Sequence, residues 1–238
     1  YGAATAWSLP QAPTIAGWVA AWDALAPALF RSVVLAVVAA AVSSMLGSMN
    51  GFVFAKWKFP YADVIFTMFL FGMFIPYQAV MIPLQALMIN MNNTAPFLAG
   101  IPTLIIAHVI YGIPICTLIF RNYYATAVPN EILEAARLDG LSEVAIFFRI
   151  YIPTMRSTYS AAAVISFMAA WNNFLWPKVI LLRNDSLTMP MLVSNLSAGY
   201  VTNYGVLMLA VLITSLPTMI IFLVLQRSFA AGMTGAIK

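Results

Sequence analysis

Residues 122–157 read NYYATAVPNEILEAARLDGLSEVAIFFRIYIPTMRS, and this stretch decides the fold. It concentrates Glu131, Glu134, Arg137, Asp139, Glu143, Arg149 and Arg156 in a chain that is otherwise nearly bare of charge. Asn130 after Pro129 reads as a helix N-cap, with Glu131 and Glu134 favoured by the dipole of the first turn. Asp139-Gly140 stops that helix, because glycine enters the left-handed conformation cheaply. Ser142-Glu143 starts a second short helix, which Pro153 is expected to end. The expectation is a knob of two short helices, too short and too charged to cross a bilayer.

What flanks the knob is apolar. The chain is 63% hydrophobic and only 8% charged, too few charges to cover a soluble fold of 238 residues. Runs of the length a bilayer helix needs, about 20 residues, lie at 32–55, 64–89, 97–120, 159–182 and 206–226. Period-2 alternation is absent and the runs are long, which argues against a β-barrel. The expected class is an all-α, polytopic membrane helical bundle with five spans.

Basic residues set its orientation, since cytoplasmic flanks retain Lys and Arg. Lys56, Lys58, Arg121, Arg137, Arg149, Arg156, Arg227 and Lys238 fall on one side; Arg31, Lys178 and Arg183 fall on the other. The first side is read as cytoplasm, which places the knob and the C-terminus inside and residues 1–30 outside. Trp7, Trp18 and Trp22 suit an external segment at the interface. A polar start outside implies a sixth span upstream. The basic residues form no stripe with interleaved aromatics, so nucleic acid is excluded. A lone cysteine, Cys116, and a lone histidine, His108, leave neither a disulfide nor a metal cluster.

The knob's spacing is specific. Glu134-Ala135-Ala136, three residues, Gly140, nine residues, Ile150-x-Ile152-Pro153 closely resembles the EAA loop of ATP-binding-cassette (ABC) importer permeases, with Ile152 where leucine is usual. Ala170-Trp171-Asn172-Asn173-Phe174-Leu175-Trp176-Pro177, the 225–229 stretch LQRSF and the 232–238 stretch GMTGAIK are similar to the carbohydrate, maltose-type (MalG-like) branch. Phe74-Ile75-Pro76 with Gln78, and residues 118–124, fit the same branch. Asn173 departs from the family's frequent aspartate, and Arg31-Ser32 from its Asn-Ser.

The resemblance covers about residues 31–238, the expected transmembrane domain, and implies a type I importer permease fold in a bacterial inner membrane. It further implies that Glu131, Glu134, Ala135, Ala136, Asp139 and Gly140 couple to an ATP-binding subunit. The implied complex has a second, unlike permease, two ATP-binding subunits and an external sugar-binding protein. Cargo would be a di- or oligosaccharide; the alternative is the same machine carrying glycerol phosphate. The chain has no phosphate-binding G-x4-G-K-[ST] loop, so ATP and Mg belong to partners. This chain is read as a transport subunit without catalytic residues or cofactor.

Within the spans, Trp171, Asn172, Asn173, His108 and Gln78 are candidates for lining a sugar pathway. For Trp171, Asn172, Asn173 and His108 the competing reading is hydrogen bonding between helices. An intramembrane hydrolase would need paired aspartates, a metal motif or a Ser-His pair such as Ser166 with His108; only the last is available. A secondary transporter would carry acids at mid-span, and none is there. Ser43, Gly47 and Gly51 recur every four residues and let another helix approach closely. Pro76, Pro83, Pro102, Pro114 and Pro217 read either as hinges or as ordinary kinks.

Overall fold

The computed structural model describes residues 16–181, 186–198 and 204–234. Among them every regular element is helical. Helix α1 (Ala16–Lys56) is followed by α2 (Ala62–Phe71), α3 (Met81–Thr94) and α4 (Ile101–Ala127). The charged stretch supplies α5 (Asn130–Leu138), α6 (Glu143–Ile146) and α7 (Ile152–Thr154). Then come α8 (Arg156–Trp171), α9 (Leu175–Ile180), α10 (Met189–Ser197) and α11 (Tyr204–Thr234).

Three helices are long and apolar enough to cross a membrane: Ala21–Lys56, Ile101–Ala127 and Tyr204–Gln226. Two of the five expected runs are interrupted. The run 64–89 breaks after Phe71 into a 3-10 turn, Gly72–Phe74, and a bend at Pro76. Proline forces its predecessor out of the helical region, and Ile75 is accordingly extended (φ −70°, ψ 117°). The run 159–182 breaks at Asn172–Phe174, where two amides bond locally rather than leaving the backbone to its helix. Asn172 Nδ2 donates to Met168 O at 3.0 Å, and Asn173 Oδ1 accepts from Trp176 N at 3.0 Å.

The other prolines sort by position. Pro83 and Pro102 lie in the first turns of α3 and α4, where a missing N–H costs nothing. Pro114 and Pro217 lie inside continuous helices.

The boundary expected at residues 30/31 is no break either. Helix α1 begins at Ala16 and runs through it, about 60 Å at 1.5 Å per residue. Trp18 and Trp22 are both exposed and stack on each other with centroids 6.5 Å apart. Trp7, Arg183 and the side chains of 227–238 lie outside the described residues.

Helix α1 is the spine against which α4 and α8 pack, with α11 laid on α8. The Ser43-Gly47-Gly51 stripe makes the α1–α4 seam. A Cβ on Gly47 would overlap Cys116, and one on Gly51 would stand 2.8 Å from Arg121 N and Phe120 Cβ. From the opposite side, a Cβ on Gly112 would stand 2.5 Å from Ser43 Oγ. At the far end from the knob, Arg31 Nε donates to Leu187 O at 3.0 Å, and Ser32 Oγ accepts from Met189 N at 2.8 Å. These two residues tie α1 to α10.

Candidate functional site

The knob is built as a short amphipathic helix clamped onto the bundle. Leu133 and Ala136, one turn apart on α5, are buried at 3% and 5% exposure against Phe52, Tyr124, Val128, Ile146, Phe147 and Tyr151. Glu131, Ile132, Glu134, Ala135 and Leu138 form the outer face, with Leu138 89% exposed. Ala135 and Ala136 therefore do different jobs, and only Ala135 is free to meet a partner.

Asn130 is not the N-cap. Pro129 holds that position, and Asn130 Oδ1 instead accepts from Lys56 Nζ at 2.8 Å. The same ammonium donates to Val128 O at 2.6 Å, pinning the end of α1 to the start of α5.

The helix ends as the sequence predicts. Gly140 has φ +79°, its N–H bonds Arg137 O at 3.0 Å, and Leu141 N bonds Ala136 O at 3.1 Å. This is the Schellman pairing, with Leu141 returning to the core beside Ala136. A Cβ at Gly140 would meet nothing within 4 Å, so its requirement is conformational.

Ser142 Oγ caps α6 by accepting from Ala145 N at 3.3 Å. Arg137 Nε donates to Glu143 Oε1 at 2.6 Å, closing the two helices on each other; that bond raises the guanidinium's pKa further. The second helix does not stop before Pro153. It widens into a π turn over Phe147–Tyr151 and continues through α7, with Pro153 at the start of that piece. Burial pushes the Tyr151 phenol up from its ordinary range, and its hydroxyl has no hydrogen-bond partner.

The pathway candidates do not converge on one place. Trp171 is buried at 1% exposure, stacks on Phe167 at 5.6 Å and donates from Nε1 to Thr214 O at 3.1 Å. It is an interior bolt between α8 and α11. Asn172 opens onto a groove with Thr214, Ser215 and Thr218. Gln78 is exposed on the turn after Pro76 and borders neither cleft.

His108 and Asn173 do meet, in a cleft of about 310 Å³ with Tyr77, Tyr111, Ser43 and Ser166. Its aromatic centre is Trp176, whose ring lies 5.0 Å from His108, 4.7 Å from Tyr111 and 5.9 Å from Tyr77. His108 Nε2 and Trp176 Nε1 are buried without hydrogen-bond partners among the described residues. The interhelical hydrogen bond expected for His108 is thus missing at Nε2. Ser166 Oγ pairs with Cys116 Sγ at 3.2 Å, so no Ser–His pair forms.

Sequence reasoning missed Tyr77, Tyr111 and Trp176. Tyr111 sits three residues after His108 on the same helical face, and Trp176 stands within the 170–177 motif. Those two signals were available. Nothing in the sequence placed Tyr77, which arrives through the bend at Pro76.

The comparisons with known proteins agree with this architecture. The chain is 38% identical over 192 residues to the lactose transport system permease protein LacG of Rhizobium radiobacter, covering 79% of this chain and 66% of that protein. It is 36% identical over 189 residues to the arabinooligosaccharides transport system permease protein AraQ of Halalkalibacterium halodurans, covering 79% and 65%. The chain thus spans a little under two thirds of the length of these relatives. In fold it is similar to a chain of a bacterial ABC transporter that imports the acidic polysaccharide alginate. That match has a TM-score of 0.77 at 17% identity, over 93% of this chain and 81% of the other. Residues 47–235 match the family described as binding-protein-dependent transport system inner membrane component, and the chain belongs to that family of multi-pass membrane proteins.

Proposed function

We propose that the chain is a permease subunit of an ATP-driven sugar importer, a transport component and not itself an enzyme. The observation that carries this reading is the knob. One face of α5 is sunk into the bundle, and the other presents Glu131, Glu134, Ala135 and Leu138 to the outside, with a glycine-closed end. A helix so held serves as a rigid handle. An ATP-binding subunit with a basic groove would find there an anion, a small residue for close approach and an apolar tip.

In this reading the knob and the C-terminus are cytoplasmic, as the basic residues favour. A second, unlike permease completes the pathway, two partner subunits bind ATP and Mg, and an external protein delivers the sugar. The cleft around Trp176 is this subunit's contribution to the pathway. Aromatic faces suit the apolar faces of a sugar ring, and the unpartnered His108 Nε2 and Trp176 Nε1 suit its hydroxyls. Among the described residues no Arg or Lys lines that cleft, which favours a neutral sugar over a glycerol phosphate.

The test is ATP hydrolysis by the reconstituted complex with its binding protein loaded in turn with a panel of sugars. Stimulation by one sugar supports the reading and names the cargo. Attached ATP-binding subunits without stimulation by any sugar would overturn the carbohydrate assignment, and failure of those subunits to attach would overturn the importer.

A further inference from the structure

The run from Ala62 to Thr94 is laid down in two pieces, α2 and α3, and the break between them lies near mid-membrane. Asp63, at the start of α2, pairs with Arg121 near the end of α4 at 2.6 Å, which marks the charged end of both helices. Gly72 comes nine residues after Asp63, about 14 Å at 1.5 Å per residue, against a hydrocarbon core of about 30 Å. A second route gives the same level. Tyr77 shares a cleft with Tyr111, and Tyr111 lies ten residues before Arg121 on α4, about 15 Å from it.

Among the described residues nothing covers the outer side of this break. A Cβ added at Gly72 would meet no atom within 4 Å. Phe74 is 78% exposed, and Phe71, Ile75 and Gln78 are exposed with it. Tyr77 borders the inner cleft, while its neighbour Gln78 opens outward. The Gln78 side-chain amide and the backbone N–H groups of Tyr77 and Gln78 find no partner among the described residues.

Lipid cannot cover such a surface cheaply. Irregular backbone and unpaired amides occur at membrane depth where protein or water satisfies them, and hydrocarbon offers neither donor nor acceptor. A water-filled passage would satisfy the amide but would leave Phe71, Phe74 and Ile75 wet. A neighbouring helix with an apolar flank and one hydrogen-bonding side chain meets both demands.

We propose that residues 71–78 form this chain's mid-membrane contact with the second permease subunit. Gln78 bonds a polar side chain of that subunit, and Phe74 packs against its apolar flank. Gly72, without a Cβ, lets the partner helix come close to the broken backbone. The turn at Pro76 thus serves two directions, sending Tyr77 into this chain's cleft and Gln78 to the partner. The inference rests on the reading of the chain as one of a pair of permeases and does not need the sugar assignment.

Phe74 carries the test, because a side chain so exposed can be replaced without disturbing this chain's core. The importer is assembled in phosphatidylcholine nanodiscs with Cys116→Ser and a nitroxide attached at Phe74→Cys, and Ile75→Cys serves as a second position. Collisions with oxygen, which concentrates in hydrocarbon, and with a water-soluble nickel chelate are read against a lipid carrying its nitroxide at mid-chain in the same nanodisc. Both labels should be shielded from both reagents, with oxygen collisions severalfold below the lipid standard. Gln78→Leu should weaken retention of the second permease in detergent about three- to ten-fold; unchanged retention would overturn the Gln78 bond. Oxygen collisions equal to the lipid standard while sugar-stimulated ATP hydrolysis persists would overturn the contact and leave the importer standing. Collisions with the nickel chelate would show water over the break and overturn the contact as well. Shielding from both reagents in a complex without sugar-stimulated hydrolysis would support the contact and count against the sugar reading.

Discussion

Replacing Gly140 by alanine separates the shape of the knob's end from what touches it. At φ +79° a residue with a Cβ costs roughly 1–2 kcal/mol. The added methyl meets no atom of this chain within 4 Å, so no steric term joins that cost. Gly140→Ala should lower the melting temperature by a few degrees, at about 2–4 °C per kcal/mol for a chain of this size. Gly140→Asn should lose less, because asparagine tolerates the left-handed region. Gly140→Pro should lose more than about 3 kcal/mol, since it fixes φ near −65° and deletes the N–H that bonds Arg137 O.

The assay is sugar-stimulated ATP hydrolysis by the reconstituted importer, read beside thermal stability and co-purification of the ATP-binding subunits. Coupling should fall in the order glycine, asparagine, alanine, proline, in step with stability. If Gly140→Ala abolishes attachment of those subunits while the permease melts as before, the conformational account is refuted. A methyl that touches nothing in this chain would then be touching the partner.

Substitutions at three further positions test the packing around the sites. Gly51→Ala places a methyl against the backbone of α4 at Arg121, which cannot move aside like a side chain, and should cost about 1–3 kcal/mol by thermal denaturation; no loss would contradict the close α1–α4 seam. Trp171→Phe removes the donor to Thr214 O and should cost about 1–2 kcal/mol with the apparent KM for uptake unchanged; a raised KM at unchanged stability would return Trp171 to the pathway. Asn173→Asp keeps an oxygen for Trp176 N and should melt like the wild type, whereas Asn173→Ala should lose about 1 kcal/mol. Equal melting in both variants would show that this bond does not hold the break before α9.

The fold class was legible because it follows from bulk quantities, apolar length and charge placement, that no tertiary detail can reverse. The knob was legible because Gly140 and Ser142 act within their own turns. Asn130 was misread for the opposite reason. Its side chain had a nearby backbone to cap and a distant ammonium to serve, and Lys56, far away in sequence, won. The broken spans were half visible. Pro76 announced its bend, but Asn172 and Asn173 read as polar residues seeking a pathway when much of their bonding is spent on the chain break itself. Pathway residues are the least legible class, since a histidine, an amide or a tryptophan in a span has the same spacing whether it faces a cleft or a neighbour.

The handle and the cleft share a mechanical frame. Phe52 of α1 touches Tyr124 of α4, and also Phe147 and Tyr151 beneath the knob, at 5.9, 5.7 and 5.0 Å between centroids. Ser48 and Tyr124 share a hydrogen bond of 2.8 Å just above. A pull on α5 therefore reaches α1 and α4 together, through Lys56 and this aromatic block. The two helices have no freedom to slide, because Gly47 and Gly51 sit directly against Cys116 and Phe120. His108 and Tyr111 lie further along the same α4, about 20–24 Å from Tyr124. They would move with it as parts of one rigid pair. By contrast the residues that complete the cleft arrive on separate pieces: Tyr77 on the bend after Pro76, and Trp176 on the short α9 behind the asparagine break. A rotation of the α1–α4 pair would thus change the distance between His108 and its aromatic neighbours without straining any single helix. On this argument the two breaks in the spans are what let one wall of the cleft move against the other.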